Sequence, residues 1–281
     1  MIVSNALSFA QKELKKQNIK SNIIDSEVLL SYILQRERSS LLINRDNYII
    51  SKFQFNKFKD LIEQRKKRKP VSQIIGKKYF WKYCFHINKF TLTPRPETEH
   101  LIELSLKNIN NFKKSSILDI GTGSGCIIIS LLKESESSNG VAIDICKEAL
   151  NIAKYNAKMH HIENRIKFFK SSVDKFLFGT YDLIVSNPPY IKKFNLKYLE
   201  KDVVNFEPKL ALDGGLDGLS EIRKVITKSS ELIKKNGKFI LEIGFDQKNK
   251  VINLLKQKGF YINSTLRDFA NNDRCIICTK I

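Results

Sequence analysis

The chain has 281 residues, of which 42% are hydrophobic, and this suits one large domain or a domain with a smaller partner. Its longest apolar runs, such as GCIIISLL, are far shorter than the roughly 20 residues of a membrane-spanning helix. No secretory signal is evident, and the five cysteines lack disulfide-framework spacing, so we expect a cytoplasmic protein that binds no membrane. The net charge is +20, but only ten of the 49 basic residues are arginine, which is weak support for nucleic-acid binding.

The first 70 residues show helical periodicity and contain no glycine. Val3, Leu7, Ala10 and Leu14 recur at helical spacing and therefore share one face of the first helix. Residues 1–70 hold 15 Lys and Arg against seven Asp and Glu, so this part is about twice as basic per residue as the rest. We predict a small helical bundle over residues 1–75 that docks the substrate, and we interpret the run RKKRK, residues 65–69, as a solvated helix end.

A hairpin and linker are predicted over residues 76–97, ending in the proline-pinned loop TPRPETE, and a helix over 97–109. Strands and helices then alternate through the third domain, residues 98–281, as in a doubly wound parallel sheet. The last two strands are joined by a connection too short for a crossover helix, so we predict that they pair antiparallel. Strands are predicted at 115–121, 140–145, 165–171, 181–187, 237–244, 261–268 and 274–281, and helices at about 125–134, 147–159, 219–235 and 246–258.

A glycine-rich loop follows the first strand of this domain. ILDIGTGSGC places Gly121, Gly123 and Gly125 between an apolar strand and a helix, where ligands bind in open α/β sheets. A dinucleotide fingerprint would have its third glycine one residue later, at Cys126. The spacing therefore favours a smaller nucleoside cofactor with a zwitterionic tail, although a tight turn alone would also use glycines.

Acidic and apolar residues at neighbouring strand ends support a cofactor site. Asp144 ends the second strand, where its carboxylate can accept hydrogen bonds from both hydroxyls of a ribose; the alternative is an N-cap aspartate. Asp119 lies two residues before the first glycine, and Val173 follows the third strand as an apolar wall for an adenine ring. Together these residues favour the cofactor interpretation over the bare turn.

The fourth strand ends in Asn187-Pro188-Pro189-Tyr190, which we call the NPPY corner. Pro189 keeps Pro188 extended and supplies no N–H, so the carbonyl of Pro188 can remain unpaired. With the side-chain oxygen of Asn187 it forms two fixed acceptors, which match the two hydrogens of an –NH₂ group. Tyr190 offers a flat face for a planar amide or base. The alternative is a stiff turn without a function.

These motifs resemble the class I S-adenosylmethionine-dependent methyltransferases that modify planar nitrogens. The whole chain resembles the release-factor glutamine methyltransferases (HemK-like), whose marks are TPRPETE, LDIGTGSGC, IVSNPPYI and FEPKLALDGGLDGL. The resemblance implies a seven-stranded Rossmann-like α/β domain and methylation of the glutamine amide in the Gly-Gly-Gln loop of peptide chain release factors. Where the family often has Asp and an aromatic residue at the adenine, this chain has Ser172 and Val173.

The motifs and the resemblance together predict a site with two parts. S-adenosylmethionine would be bound by the glycine loop and the strand ends, and the corner would be catalytic through Asn187, Pro188 and Tyr190 and would bind the substrate with all four residues. The cofactor-binding residues are Gly121, Thr122, Gly123, Ser124, Gly125, Asp144, Val173 and Asn187.

Two other functions are also consistent with these motifs. An adenine-N6 methyltransferase acting on DNA or RNA uses the same four-residue corner, and a basic RNA- or ribosome-associated protein could keep a cofactor for stability only. A duplex-reading enzyme needs a target-recognition domain with clustered arginine and aromatic residues, whereas this chain has scattered arginines and one tryptophan. We therefore expect a protein substrate, no nucleic-acid substrate and a monomer.

Several other motifs carry less weight. We interpret Cys275 and Cys278 as part of the alternating pattern of a terminal strand, on one of its faces. We expect no metal-binding role for His160 and His161. Arg95 and Glu97 in TPRPETE either shape the substrate cleft or fix the interdomain loop, while residues 213–218, DGGLDG, are expected to cap the site.

Overall fold

A computed structural model of the chain describes residues 1–109 and 114–281. The chain forms two compact units. The first unit consists of Met1–Gly76 together with Glu200–Phe206, and the second consists of Lys77–Leu199 together with Glu207–Ile281. No helix within these described residues is long and apolar enough to cross a bilayer.

The first unit is helical. Val3, Leu7, Ala10 and Leu14 are all buried in its core, as their spacing predicts. The fourth helix begins with a capping box, in which the Ser51 hydroxyl accepts from the Gln54 amide and the Gln54 side chain accepts from the Ser51 amide. The helices are α1 (Val3–Lys16), α2 (Asn22–Leu34), α3 (Arg38–Ile43), α4 (Lys52–Lys66) and α5 (Val71–Ile75).

A short helix from much later in the chain, Lys201–Phe206, belongs to this helical unit. Arg65 at the end of α4 is 5% exposed, and its guanidinium lies 2.7 Å from Asp25 and 2.6 Å from Asp202 of the short helix. A buried charge of this kind needs such partners. The interpretation of RKKRK as a solvated helix end is therefore wrong for Arg65, which is buried. The sequence does not reveal its partner Asp202, which lies 137 positions away along the chain.

The second unit begins with an antiparallel hairpin of β1 (Lys77–Phe80) and β2 (Tyr83–His86). Its main sheet has the order β5-β4-β3-β6-β7-β9-β8, and only β9 runs antiparallel to its neighbours. Both the parallel sheet and the antiparallel pairing of the last two strands are confirmed. The strands are β3 (Ser116–Ile120), β4 (Asn139–Asp144), β5 (Ile166–Lys170), β6 (Tyr181–Ser186), β7 (Ile233–Glu242), β8 (Phe260–Arg267) and β9 (Asp273–Lys280).

Helices cover both faces of this sheet, which is the Rossmann-like architecture that the sequence predicts. One face packs in a cluster with α6, α7 and α8, and the other with α10 and α11. The helices are α6 (Glu99–Asn108), α7 (Cys126–Glu134), α8 (Lys147–Met159), α9 (the Lys201–Phe206 helix), α10 (Ser220–Leu232) and α11 (Lys248–Gln257). Short 3₁₀ helices cover Pro96–Thr98, Glu163–Arg165, Val173–Lys175, Lys193–Tyr198 and Lys209–Ala211.

The two cysteines of β9 are buried on opposite faces of the sheet. Cys275 packs in the cluster with Ile117 and Val185, whereas Cys278 packs in the cluster with Leu118 and Phe239. Side chains three positions apart on a strand point to opposite faces. The expectation that the two cysteines share one face is therefore wrong.

Candidate active site

The carboxyl ends of β3, β4 and β6 meet at one edge of the sheet. The amides of Gly121 and Thr122 both donate to the carbonyl of Ile143, at 2.9 and 3.0 Å. The hydroxyl of Ser186 donates to the carbonyl of Ile120 at 2.8 Å. The glycine loop, the end of β4 and the end of β6 are thereby held side by side.

The three glycines of the loop serve two different purposes. All three have positive φ, a conformation that favours glycine. A Cβ at Gly121 or Gly123 would meet no atom within 4 Å, whereas a Cβ at Gly125 would lie 2.9 Å from Ile129 and 3.1 Å from the Cβ of Ala153. Gly125 therefore lets α7 and α8 pack closely, while Gly121 and Gly123 keep the space above the loop open for a ligand.

Asp144 is tied directly to the glycine loop. One carboxylate oxygen accepts from the Gly123 amide at 2.9 Å and the other from the Cys146 amide at 2.8 Å. Burial raises the pKa of Asp144, against the opposing effect of these backbone donors. Since a carboxylate oxygen can accept more than one hydrogen bond, both oxygens keep capacity for a ligand's hydroxyl groups.

Asp119 is fully buried beneath the loop. Its Oδ2 accepts from the Thr122 hydroxyl at 2.7 Å, but its Oδ1 has no hydrogen-bond partner within the described part of the chain. Burial raises the pKa of Asp119 to about 7. A buried acceptor without a donor is unfavourable, so this oxygen fits a polar or cationic group of a bound ligand.

The remaining predicted wall of the cofactor site follows β5. Val173 begins the 3₁₀ helix Val173–Lys175 and is half-buried against the apolar cluster that contains Ile143. The Ser171 amide donates to the Asp144 carbonyl at 3.1 Å, which fixes this segment beside the end of β4. Open space over two glycines, two acidic groups with spare acceptor capacity and an apolar wall together fit a nucleoside ligand with an ammonium group.

The NPPY corner follows β6 at the same edge. Pro188 is buried and its carbonyl accepts no hydrogen bond from any described residue. Asn187 is half-buried, and its Nδ2 donates to the hydroxyl of Thr98 at 3.0 Å. Its Oδ1 has no donor among the residues that the structure describes. The two acceptors expected from the sequence are thus both unpaired.

Tyr190 is fixed at both its ends. Its hydroxyl donates to Oε1 of Glu242, the last residue of β7, at 3.3 Å, and its pKa is raised by burial. Its carbonyl accepts from Nε2 of Gln247 at 3.0 Å, and the same nitrogen donates to the Gly218 carbonyl at 3.0 Å. Gln247 in turn accepts from the Gly244 amide at 2.9 Å. The aromatic ring and the backbone of the corner are therefore both held from the end of β7.

The loop over residues 213–218 packs directly on the corner. Its Gly214 amide donates to the Ile191 carbonyl at 2.8 Å. A Cβ at Gly214 would lie 2.9 Å from the Cα of Tyr190, and one at Gly218 would lie 2.6 Å from its carbonyl oxygen. These glycines are needed for close approach to the backbone of Tyr190.

Arg95 and Glu97 of TPRPETE have different surroundings. Arg95 donates to both carboxylate oxygens of Glu207 at 2.8 Å, and the Glu207 side chain is 1% exposed. Glu97 is exposed. One guanidinium nitrogen shared by both oxygens of a buried carboxylate holds the segment before Thr98 against the FEPKLAL segment, so Arg95 fixes a loop within the second unit.

His160, for which no metal role is predicted, lies in a structural setting. His160 packs against Tyr83 and Phe85, and one of its ring nitrogens lies 2.9 Å from the Cys84 carbonyl. Within residues 1–109 and 114–281, no group of three or more His, Cys, Asp or Glu side chains is arranged to hold a metal ion.

Four buried polar residues that support the site are not evident from the sequence. The TPRPETE motif contains Thr98, but the neighbouring sequence does not show that Thr98 binds Asn187. For Glu242, the only signal in the sequence is that an acidic residue ends an apolar strand. No pattern indicates Gln247. Asn156 donates to the carbonyls of Ser124 and His86 and accepts from the His86 amide, which ties the glycine loop to the hairpin.

Two family models match the chain. Residues 99–205 match the methyltransferase small domain, and residues 5–76 match the PrmC N-terminal domain.

Named relatives match over almost the whole length. The chain is 36% identical to a release factor glutamine methyltransferase of Clostridium acetobutylicum, with 100% of this chain and 99% of the relative covered. It is also 36% identical to a release factor glutamine methyltransferase of Caulobacter vibrioides, covering 98% of this chain and 95% of the relative.

Among solved structures, the hMettl16 catalytic domain in complex with a 3′UTR hairpin superposes with a TM-score of 0.58. Sequence identity is 17%, and 70% of this chain and 75% of that chain are covered. At this identity the likeness concerns the fold alone.

Proposed function

Because the chain belongs to the release factor glutamine methyltransferase family, we propose that it methylates peptide chain release factors. The reaction transfers a methyl group from S-adenosylmethionine to the side-chain amide nitrogen of the glutamine in the Gly-Gly-Gln motif. This makes the protein an S-adenosylmethionine-dependent protein-glutamine methyltransferase.

The glycine loop and the neighbouring strand ends hold the cofactor in this proposal. S-adenosylmethionine, when bound, supplies an electrophilic methyl group on a positively charged sulfur. Asp144 would accept hydrogen bonds from the ribose hydroxyls, and Val173 would form the apolar wall beside the adenine. Asp119 supplies an unpaired acceptor below the loop. The residues that we assign to cofactor binding are Gly121, Thr122, Gly123, Ser124, Gly125, Asp144, Val173 and Asn187.

The corner binds the amide in this proposal. An amide nitrogen is a poor nucleophile because its lone pair is delocalised into the carbonyl group. The Oδ1 of Asn187 and the carbonyl of Pro188 each accept one hydrogen of the –NH₂ group, and Tyr190 lies against the amide plane. Acceptors that are fixed before the reaction favour the positive charge that develops on nitrogen. Holding the nitrogen in line with the methyl group and the sulfur makes the second contribution to the rate.

The single observation that carries this proposal is the pair of unpaired acceptors at the corner, beside an open glycine loop. A buried carbonyl without a donor is unfavourable, and the Pro188 carbonyl has none among the described residues. A substrate with two N–H hydrogens on one nitrogen would satisfy both acceptors at once.

The helical unit is proposed to dock the release factor. Residues 1–70 carry a net charge of +8, from 15 basic and seven acidic residues, and such a surplus speeds encounter with an acidic partner. We assign residues 1–75 to docking, 76–97 to a linker and 98–281 to catalysis. We also propose that the enzyme acts as a monomer in the cytoplasm, where release factors work.

A labelling experiment tests the choice of substrate. The protein is incubated with methyl-labelled S-adenosylmethionine and with one of three substrates: a purified release factor, the same factor with the Gly-Gly-Gln glutamine changed to alanine, or adenine-containing DNA. We expect label in the unchanged release factor alone. Labelled adenine, with the release factor unlabelled, would overturn the proposal in favour of a nucleic-acid methyltransferase.

A further inference from the structure

The orientation of one side-chain amide decides whether the corner can accept a substrate –NH₂ group. Asn187 carries an acceptor and a donor on the same planar group, and a half-turn exchanges them. If Oδ1 faces the substrate, the amide accepts; if Nδ2 does, two donors oppose each other. Something in the protein must therefore fix this orientation.

Thr98 is the direct partner of this amide. It is 3% exposed, and its hydroxyl accepts from Nδ2 of Asn187 at 3.0 Å. Its backbone is held as well, since the Thr98 amide donates to the Arg95 carbonyl at 3.1 Å and Nη2 of Arg95 donates to both oxygens of buried Glu207. The position of the hydroxyl is therefore fixed, but a hydroxyl can either donate or accept.

Glu242 provides the missing constraint. It is 2% exposed; its Oε1 accepts from the Tyr190 hydroxyl at 3.3 Å, and its Oε2 has no partner in the described parts of the chain. Burial raises the pKa of Glu242 to about 7, and the Thr98 hydroxyl acts against this effect. The nearby Arg274 is engaged by Asp268 at 2.7 Å. Glu242 thus has one acceptor free for the Thr98 hydrogen.

A hydroxyl has only one hydrogen to give. If Thr98 gives it to Glu242, then Thr98 can only accept from Asn187, and the group facing it must be Nδ2. We propose that Thr98 and Glu242 are positioning residues: the Thr98 hydroxyl directs its hydrogen to the unpaired oxygen of Glu242 and so turns Oδ1 of Asn187 toward the substrate, while Glu242 also fixes the Tyr190 ring. The inference rests on the proposed function of the corner and deepens it.

The test compares two substitutions of Thr98. Thr98→Val keeps the shape and removes the hydroxyl, whereas Thr98→Ser keeps the hydroxyl and removes a methyl group. We expect kcat for methyl transfer to fall by about tenfold or more in Thr98→Val, with cofactor affinity and Tm close to those of the wild type. Thr98→Ser should recover most of the rate. A packing role for Thr98 predicts the reverse order.

Glu242→Gln provides a second measurement, independent of whether Thr98→Val folds. The new amide can donate to Thr98 and free the Thr98 hydrogen for Oδ1 of Asn187, so kcat should again fall by about tenfold. Because both residues are proposed to act by orienting the same Asn187 amide, the double variant should be little slower than either single variant. A rate within twofold of wild type in Thr98→Val and in Glu242→Gln, or equal losses in Thr98→Val and Thr98→Ser, would overturn the inference.

The comparison is made on whichever substrate the wild-type protein methylates. If the wild type labels adenine and leaves the release factor unlabelled, the proposed function fails. The orientation of Asn187 is then tested on the adenine –NH₂ group with the same variants and the same expected order of rates.

Discussion

At the scale of single residues, the site combines groups that a ligand can contact with groups that hold them. Asp144 belongs to both classes, because its carboxylate accepts from the Gly123 and Cys146 amides and keeps lone pairs for a ligand. A charge-assisted hydrogen bond is stronger than a neutral one. The carboxylate of Asp144 is therefore the residue whose loss should affect cofactor affinity most clearly.

We expect Asp144→Ala to lose about 1.5–3 kcal/mol of binding free energy for S-adenosylmethionine, measured by calorimetric titration. Asp144→Asn, which keeps one acceptor oxygen, should fall between wild type and Asp144→Ala. Asp60→Ala removes an exposed carboxylate from α4 of the helical unit and serves as the control with an equal change in charge. Unchanged affinity in Asp144→Ala would refute the assignment of this strand end to the cofactor.

The sequence predicts the residues at strand ends well and their buried partners poorly. Asp144 and Asn187 stand out because a polar residue ends an apolar strand, and this pattern is local. The partners of Asn187 and Tyr190 lie 89 and 52 positions away along the chain, and no periodicity reports such pairings. The roles of Thr98, Glu242 and Gln247 therefore come from the structure.

At the scale of elements, the corner depends on the loop that packs against it. Gln247 joins the Tyr190 and Gly218 carbonyls through one amide nitrogen, so the end of β7, the corner and the loop over residues 213–218 form one hydrogen-bonded assembly. A side chain at Gly218 would enter this assembly, 2.6 Å from the Tyr190 oxygen and 2.8 Å from Nε2 of Gln247. The backbone of the corner cannot move away from such a side chain without a cost in free energy, because Pro188 and Pro189 restrict its conformation.

We expect Gly218→Ala to lower the rate of methyl transfer by about tenfold or more, because it displaces Tyr190 or breaks the Gln247 bridge. Gly259→Ala is the matched control. Both glycines have φ near +76°, but a Cβ at Gly259 would meet only the end of the flexible Lys280 side chain, at 3.3 Å. Both variants should lose about 1–2 kcal/mol of stability from the positive φ, measured by denaturant unfolding. Equal activity in the two variants would show that the loop does not position the corner.

The alternation of strands and helices was predictable because each strand is a short apolar run bounded by glycine or polar residues. Boundaries shifted most at β7, which begins at Ile233 and not near residue 237. The helix α9 was not predicted. Its six residues, in a segment between Tyr190 and Pro208, are too few to show a helical pattern that differs from that of a loop. Its place in the helical unit depends on Asp202 reaching Arg65.

At the scale of the whole molecule, the chain leaves the second unit after Leu199, contributes α9 to the helical unit and returns at Glu207. Within the helical unit, the ion pair of Arg65 with Asp202 and the hydrogen bond from Gln73 to the Phe206 carbonyl hold α9. The segment that follows the corner is thus anchored in the unit that we propose to dock the release factor. This topology was not visible in the sequence, where the two units look like consecutive domains.

In the proposed reaction, Asn187 and Pro188 present a glutamine amide of a release factor to the methyl donor. The most direct measurement is mass spectrometry of the Gly-Gly-Gln peptide from a release factor, sampled over time with wild-type protein, Asn187→Ala and Asn253→Ala. Asn253 is exposed on α11, so the last variant controls for loss of an asparagine elsewhere.

We predict a methyl group on the glutamine side chain with the wild type and with Asn253→Ala at equal rates. The rate with Asn187→Ala should be on the order of 100-fold lower, while the variant remains folded and binds cofactor. A glutamine left unmethylated by the wild type would refute the proposed substrate, and one methylated equally fast by folded Asn187→Ala would refute the role of Asn187.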